Sequence, residues 1–169
     1  MSEWTTPKTW AIGELVRASD LNAQLRDNLS ALKDPPSAHY MLDETANYQT
    51  TSTTFVDVDG TKLSFTLSTN GGDVLVSFYG LITGPYGATM AYLDVAVDGV
   101  RVGGDDGLLG DGILGGQVFA FTVLVSGLSA GEHTFSLQWR VNGDYAVLYA
   151  GAGTTNYDLH PQFWVREVS

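Results

Sequence analysis

Residues 131–142 alternate almost without a break. His133, Phe135, Leu137, Trp139 and Val141 fall on one parity, and Glu132, Thr134, Ser136, Gln138, Arg140 and Asn142 on the other. That is the period-two signature of a strand with one buried and one wet face. The run before it differs. Phe119, Phe121, Val123 and Val125 share one parity, but the opposite parity carries Val118, Ala120, Thr122 and Leu124. Both faces of this run call for cover, so it reads as a central strand or as one whose second face meets another subunit. Between the two runs, Ser126 to Gly131 holds two glycines and two serines, a turn composition that predicts an antiparallel hairpin over 117–142.

Further strands follow from the same pattern. Thr53 to Val58, Lys62 to Ser68, Asp73 to Ile82, Thr89 to Val97, Val100 to Val102, Tyr145 to Ala150 and Leu159 to Val168 are short apolar or alternating runs separated by turn residues. The stretches near 74–82 and 90–97 are apolar on much of both faces and belong inside a sheet. Asp98-Gly99 is a turn dipeptide, and Pro161 demotes the start of the last strand to an edge or a bulge. Eight or nine short strands with no helix among them exclude a parallel α/β fold and predict a sandwich or jelly roll.

One segment has the helical period instead. Leu21, Leu25, Leu29 and Leu32 form a stripe, Ser19 stands where an N-cap would, and Asp20 suits the positive end of the helix dipole. The spacing predicts a helix over 20–32 that stops ahead of Pro35-Pro36, because proline lacks the donor and pushes its predecessor out of the α region. Positions 21, 25, 28 and 32 also fit a short heptad seam with Asn28 as its polar member, although packing on the β domain accounts for the leucines equally well. Ahead of the helix, Trp4, Trp10, Ile12, Leu15 and Val16 show no period. The two tryptophans cover an edge of the chain's own sheet or dock on another molecule. The expected architecture is all-β: an antiparallel, jelly-roll-like β-sandwich over 37–169, preceded by an attachment unit of arm and one short α-helix over 1–36.

Composition narrows the partners. At 169 residues the chain suits one domain with an appendage. Only 16% of residues are charged and 20 are glycine, as in a sandwich whose wet faces carry Thr, Ser, Asn and Gln. Nineteen acidic against eight basic residues give a net charge of -11, which repels nucleic acid and anionic membrane. There is no cysteine, so neither disulfides nor thiolate metal sites brace the fold. No stretch approaches the roughly 20 apolar residues of a membrane span, and the N-terminus lacks the plan of a secretion signal.

Candidate chemistry is sparse. Gly127-Leu128-Ser129-Ala130-Gly131 matches the G-x-S-x-G pattern, but that elbow needs a helix after the serine, and here a strand follows. The parity of His133 places it among Phe135 and Trp139, as a hydrogen-bonded core histidine. His39 and His160 show no spacing that suggests a triad or a zinc site. The glycine-rich segment 103–116 carries Asp105, Asp106 and Asp111 and invites a calcium reading, yet it fits no known calcium-loop spacing and reads as a flexible, solvated loop. Tyr86, Tyr145, Tyr149 and Tyr157 lie near loops, where aromatics stack on sugars or pack against neighbours. No catalytic, cofactor or metal residue emerges, and the expectation is a protein that is not an enzyme.

The stretch from Trp4 through Ala18-Ser-Asp-Leu-Asn22 to Leu25-Arg-Asp-Asn28 resembles a leader on structural proteins of tailed bacteriophages. There a helix of the form ASDLN-x-x-LRDN precedes a β-rich domain. The region from Thr53 to Val168 is similar in outline to the jelly-roll knobs of virion proteins and of C1q- and tumour-necrosis-factor-like trimers. These resemblances imply a virion surface protein made in the host cytoplasm, a capsid-decoration or head-fibre knob, and a homotrimer touching capsid or other virion proteins. The rival is a tail-tip or tail-fibre module that recognises host surface glycans. Residues expected at the attachment interface are Trp4, Trp10, Leu21, Leu25, Leu29 and Leu32. Val118, Ala120 and Leu124 are expected at the oligomer interface.

Overall fold

The computed structural model describes residues 5–85 and 89–168. Trp4 and Tyr86 therefore lie outside the described residues.

Two six-stranded antiparallel sheets enclose one core. In the first, β5 (Gly72–Thr83) is the spine. Along one of its edges runs β12 (Gln162–Glu167), with β1 (Ser37–Met41) beyond it, and farther along the same edge β11 (Ala146–Leu148) and then β2 (Tyr48–Thr50). The other edge pairs with β9 (Gln117–Leu128) over nearly its whole length. In the second sheet, β10 (Gly131–Val141) pairs with β6 (Met90–Val97) on one side, and with β3 (Val56–Asp57) and β4 (Ser64–Thr69) on the other. The short strands β7 (Val100–Arg101) and β8 (Leu109–Gly112) extend it beyond β6. The all-β sandwich with its single N-terminal helix matches the sequence expectation.

The parity of β10 holds. Phe135, Leu137, Trp139 and Val141 are buried and meet Val76, Phe78, Phe119, Phe163 and Val165 of the first sheet in one continuous core. Phe65 stacks on Phe163 with ring centroids 5.2 Å apart. The hairpin expectation fails, however. β9 and β10 belong to different sheets, and the turn between them carries the chain across the edge of the sandwich. The inward parities of both runs are apolar, so they satisfy one another by facing across the core instead of pairing edge to edge. β9 is likewise no central strand, since its recorded pairing is to β5 alone.

Four other expectations need correction. Strands β1 and β2 lie ahead of the first anticipated one, and only Val56–Asp57 of the anticipated 53–58 pairs. The glycine-rich segment is not a free loop: Leu109–Gly112 is β8, and Arg101 and Arg140 pin the turn ahead of it. Arg101 bonds the Gly104 carbonyl at 2.9 Å and buried Asp94 at 3.1 Å, while Arg140 bonds Asp106 at 2.6 Å. The same two guanidiniums bracket the Phe55 ring, with centroid distances of 4.4 and 5.3 Å. These residues cover the second face of β6, which explains why that strand is apolar on both sides without being exposed. Finally, the helix comprises Ala18–Leu21, a π-helical middle Asn22–Asp27 and Asn28–Lys33. Its N-cap is Arg17, without a side-chain cap, and Ser19 lies inside the helix.

Candidate functional site

The two outward faces of the sandwich differ in kind. On β3, β4 and β10 of the second sheet the outward side chains include hydroxyls, amides and charges that bond across strands: Ser64 to Ser136 at 2.7 Å, Thr66 to Thr134 at 3.3 Å and Gln138 to Asp57 at 2.8 Å. On the first sheet the outward rows are largely apolar. Leu75 stands opposite Leu124, Tyr79 opposite Ala120 and Leu81 opposite Val118, while Trp164 and Met41 continue the face onto β12 and β1. Val118 is 59% exposed, Leu124 49% and Tyr79 56%, and Ala120 is exposed between them. The outward parity of β9 therefore points to solvent in the isolated chain. The sequence showed the double-sided run but not that Leu75, Tyr79 and Trp164 would join it; the apolar outward parity of 74–82 was the available signal.

At one end of this face a groove of about 480 Å³ opens between the sheet and the last turn of the helix, lined by Ala31, Leu32, Pro35, Leu75, Trp164 and Arg166 among others. Ala31 is the helix's buried apolar residue. The rest of the stripe points elsewhere, and Leu21, Leu25, Leu29 and Leu32 are all 44% to 66% exposed. A second, shallower depression lies farther along the face, over Ser77 and Thr122, and Trp164 borders both.

The arm ahead of the helix is fastened to it through backbone bonds. Asn28, buried, accepts from the Thr5 amide at 2.8 Å and donates to the Thr5 carbonyl at 2.9 Å. Gln24 does the same one step along, accepting from the Lys8 amide at 2.6 Å and donating to the Thr6 carbonyl at 3.2 Å. Lys8 pairs with Glu14 at 2.6 Å and lies 4.3 Å from the centroid of Trp10, which is 37% exposed. Asn28, read from sequence as a polar seam position, serves to clamp the arm; Gln24 gave no signal at all.

A serine, a histidine and an aspartate do meet, at the turn that joins the sheets. His133 Nδ1 is 2.7 Å from Asp98 Oδ2, and its Nε2 is 3.4 Å from Ser129 Oγ. The better partner of Nε2 is the Ser129 carbonyl at 2.9 Å. With an acceptor at each nitrogen the ring is placed to donate twice, and in the protonated form that the raised pKa favours it has no lone pair to take the serine's proton. The bond to Asp98 first, then the Ser129 carbonyl, raise the pKa of His133 above the ordinary imidazole value. Asp98 is held below the ordinary carboxylate range by the Thr134 amide, at 2.8 Å, and by His133. The cluster is a fastener between the β6–β7 and β9–β10 turns. Sequence gave Asp98 only as a turn residue, because a partner 35 positions away leaves no local pattern.

Elsewhere, His160 bonds the Leu42 carbonyl at 2.9 Å. Tyr149 and Tyr157 stack with centroids 4.9 Å apart, beside a cleft of about 170 Å³ that Gly84, Gly115 and Gly116 also line. Tyr145, exposed, is not among its lining. Among the described residues no group of three metal-ligating side chains gathers, and Asp106 is spent on Arg140. No helix among the described residues is long and apolar enough to cross a membrane.

No family model matches the sequence, and no curated protein matches it. Among solved structures, the chain is similar to an Eiger TNF from S. frugiperda, with 12% identity over 80% of this chain and 95% of that one and a TM-score of 0.47. It is similar also to a protein of infectious bursal disease virus, Gt strain, with 12% identity, 80% of this chain, 38% of that one and a TM-score of 0.44. A pentameric capsid protein from metagenomic phage sequences aligns with 15% identity over 92% of this chain and 78% of that one, at a TM-score of 0.29. At these identities and scores the likeness carries no argument about activity or role.

Proposed function

We propose that this protein is a non-enzymatic structural component of a tailed-phage virion, a capsid-decoration or head-fibre knob held to the particle through residues 1–36. Three copies per assembly is the number that the knob resemblance implies. The observation that carries this reading is the independence of the N-terminal unit. The arm is bonded to the helix by Asn28 and Gln24, the helix leans on the sandwich through its last turn, and its four leucines stay out of a core that is complete without them. A unit of that kind is suited to grip something other than its own domain. The phage-leader resemblance of the same residues supports a virion as that partner.

The test is a shortened chain beginning at Asp34, which keeps the Pro36 carbonyl that accepts from the Glu167 amide at 2.9 Å. It should melt cooperatively near the full chain and fail to bind particles assembled without the protein, whereas the full chain binds them. Unfolding of the shortened chain would make the arm part of the core, and continued binding would move the docking surface to the knob.

The glycan-binding alternative draws support from the Tyr149–Tyr157 stack and its glycine-lined cleft, since a sugar ring stacks on a tyrosine face where no Cβ blocks the approach. Binding to a panel of host surface glycans that Tyr157→Ala abolishes would favour it.

A further inference from the structure

The helix stripe and the outward face of β9 look like separate features in the sequence, one for attachment and one for oligomerisation. In the structure they are joined. Leu32 ends the stripe and lines the groove; Leu75 and Trp164 line the groove from the sheet side; and Leu75 stands opposite Leu124 in the row that leads across to β9. We propose that this is one surface and that a second copy of the chain covers it, with the leucine stripe of that copy's helix seated in the groove between helix and sheet.

Three observations point to a second copy. The first is area. The four helix leucines, Met41, Tyr79, Val118 and Leu124 are each 44% to 66% exposed. At about 100 Å² each they leave on the order of 800 Å² of apolar surface, one partner's share of a standard interface and more than the roughly 300–600 Å² patch of an ordinary monomer. The second is complementarity within a single sequence: the groove asks for a ridge of medium apolar side chains, and the same chain presents such a ridge that its own groove does not bury. A pair of copies can satisfy both at once. The third is charge. The chain is strongly acidic at -11, so copies repel wherever carboxylates face one another. The eight apolar positions carry no charge, and at the groove Arg166, beside Leu75, is offset by Glu167, so the surface adds no carboxylate excess of its own.

β9 adds a fourth point. Its twelve residues hold no charge and no proline, the devices that ordinarily protect an edge strand from association. An unprotected edge beside an apolar face is expected where association is the purpose.

The proposal deepens the oligomer named above: it assigns the leucine stripe to a second copy and leaves the arm with exposed Trp10 to the particle, and sedimentation without particles reads it apart from the virion assignment. Sedimentation equilibrium of the full chain at micromolar concentration should return a whole multiple of 18.1 kDa. Leu29→Glu, on the helix, and Val118→Glu, on β9, change exposed positions and should keep the melt of the separated chain, yet each should weaken association at least about tenfold, roughly 1.4 kcal/mol. Thr66→Glu, on the polar outward face, should associate like the original. Leu25→Ser is a milder helix variant should Leu29→Glu fold poorly. A full chain that sediments as an 18.1 kDa monomer overturns the proposal. So does a helix variant or a β9 variant that folds and still associates unchanged, because the two parts would then not be one interface.

Discussion

Replacing Trp139 by alanine tests whether the alternation in β10 was assigned to the right face. The ring is 2% exposed and sits on a strand flanked on both sides, with Val56 opposite it on β3 and Leu93 on β6. Removing it withdraws roughly 180 Å² of buried surface, worth about 4–5 kcal/mol at about 25 cal/mol per Å². Partial collapse of the cavity reduces the loss and residual void adds to it, so the measured cost should fall at about 3–5 kcal/mol. For a domain of this size that lowers the melting temperature by roughly 6–20 °C. Ser129→Ala is the matched control. The group that holds His133 there is the backbone carbonyl at 2.9 Å, whereas the hydroxyl lies at 3.4 Å, so its loss should cost less than about 0.5 kcal/mol. Urea melts of the two variants measure both numbers. A serine variant that loses more than the tryptophan variant would refute the face assignment and the claim that the hydroxyl is a bystander.

Three further outcomes are expected. The raised pKa of His133 contributes stability that is complete below the ordinary imidazole value and is lost as pH rises through the raised one; the depressed pKa of Asp98 contributes stability that is complete above the ordinary carboxylate range and is lost as pH falls through its own. The original should therefore lose melting temperature as pH rises above the ordinary imidazole value of about 6.5, and His133→Gln, which retains a donor but cannot titrate, should lose less over the same rise. Asn28→Ala removes both bonds to Thr5, so limited proteolysis should cut the arm several-fold faster while the melt of the sandwich stays nearly unchanged. At Gly107 the backbone has a φ of +78° and an added Cβ would lie 2.5 Å from the Leu93 carbonyl oxygen; Gly107→Ala should cost about 1–3 kcal/mol in a denaturant melt.

Much of the fold was legible in local pattern. β4, β5, β6 and β10 stand within two residues of the runs that predicted them, because a strand with one face in the core must alternate or be apolar throughout. The helix was legible from its leucine spacing and from Pro35-Pro36 at its end, although the stripe lies outside the core. β1, β2 and β8 were not, since their residues alternate weakly and β8 is half glycine; pairing with a neighbour, not local preference, makes them strands.

Association between distant residues was decided by tertiary structure alone. A turn rich in glycine and serine allows a hairpin and a crossover equally well, and only the competition between a partner beside β9 and a partner across the core chose the crossover. The apolar second faces of β5, β6 and β9 looked alike in sequence. The structure covers that of β6 with a loop pinned by Arg101 and Arg140, and leaves Tyr79 of β5 and the outward row of β9 open. His133 was placed in the core by its parity, but the aspartate that pairs with it came from 35 residues away. Periodicity records which face of an element shuns water; it carries no record of what covers that face, because the covering group belongs to another part of the chain or to another molecule.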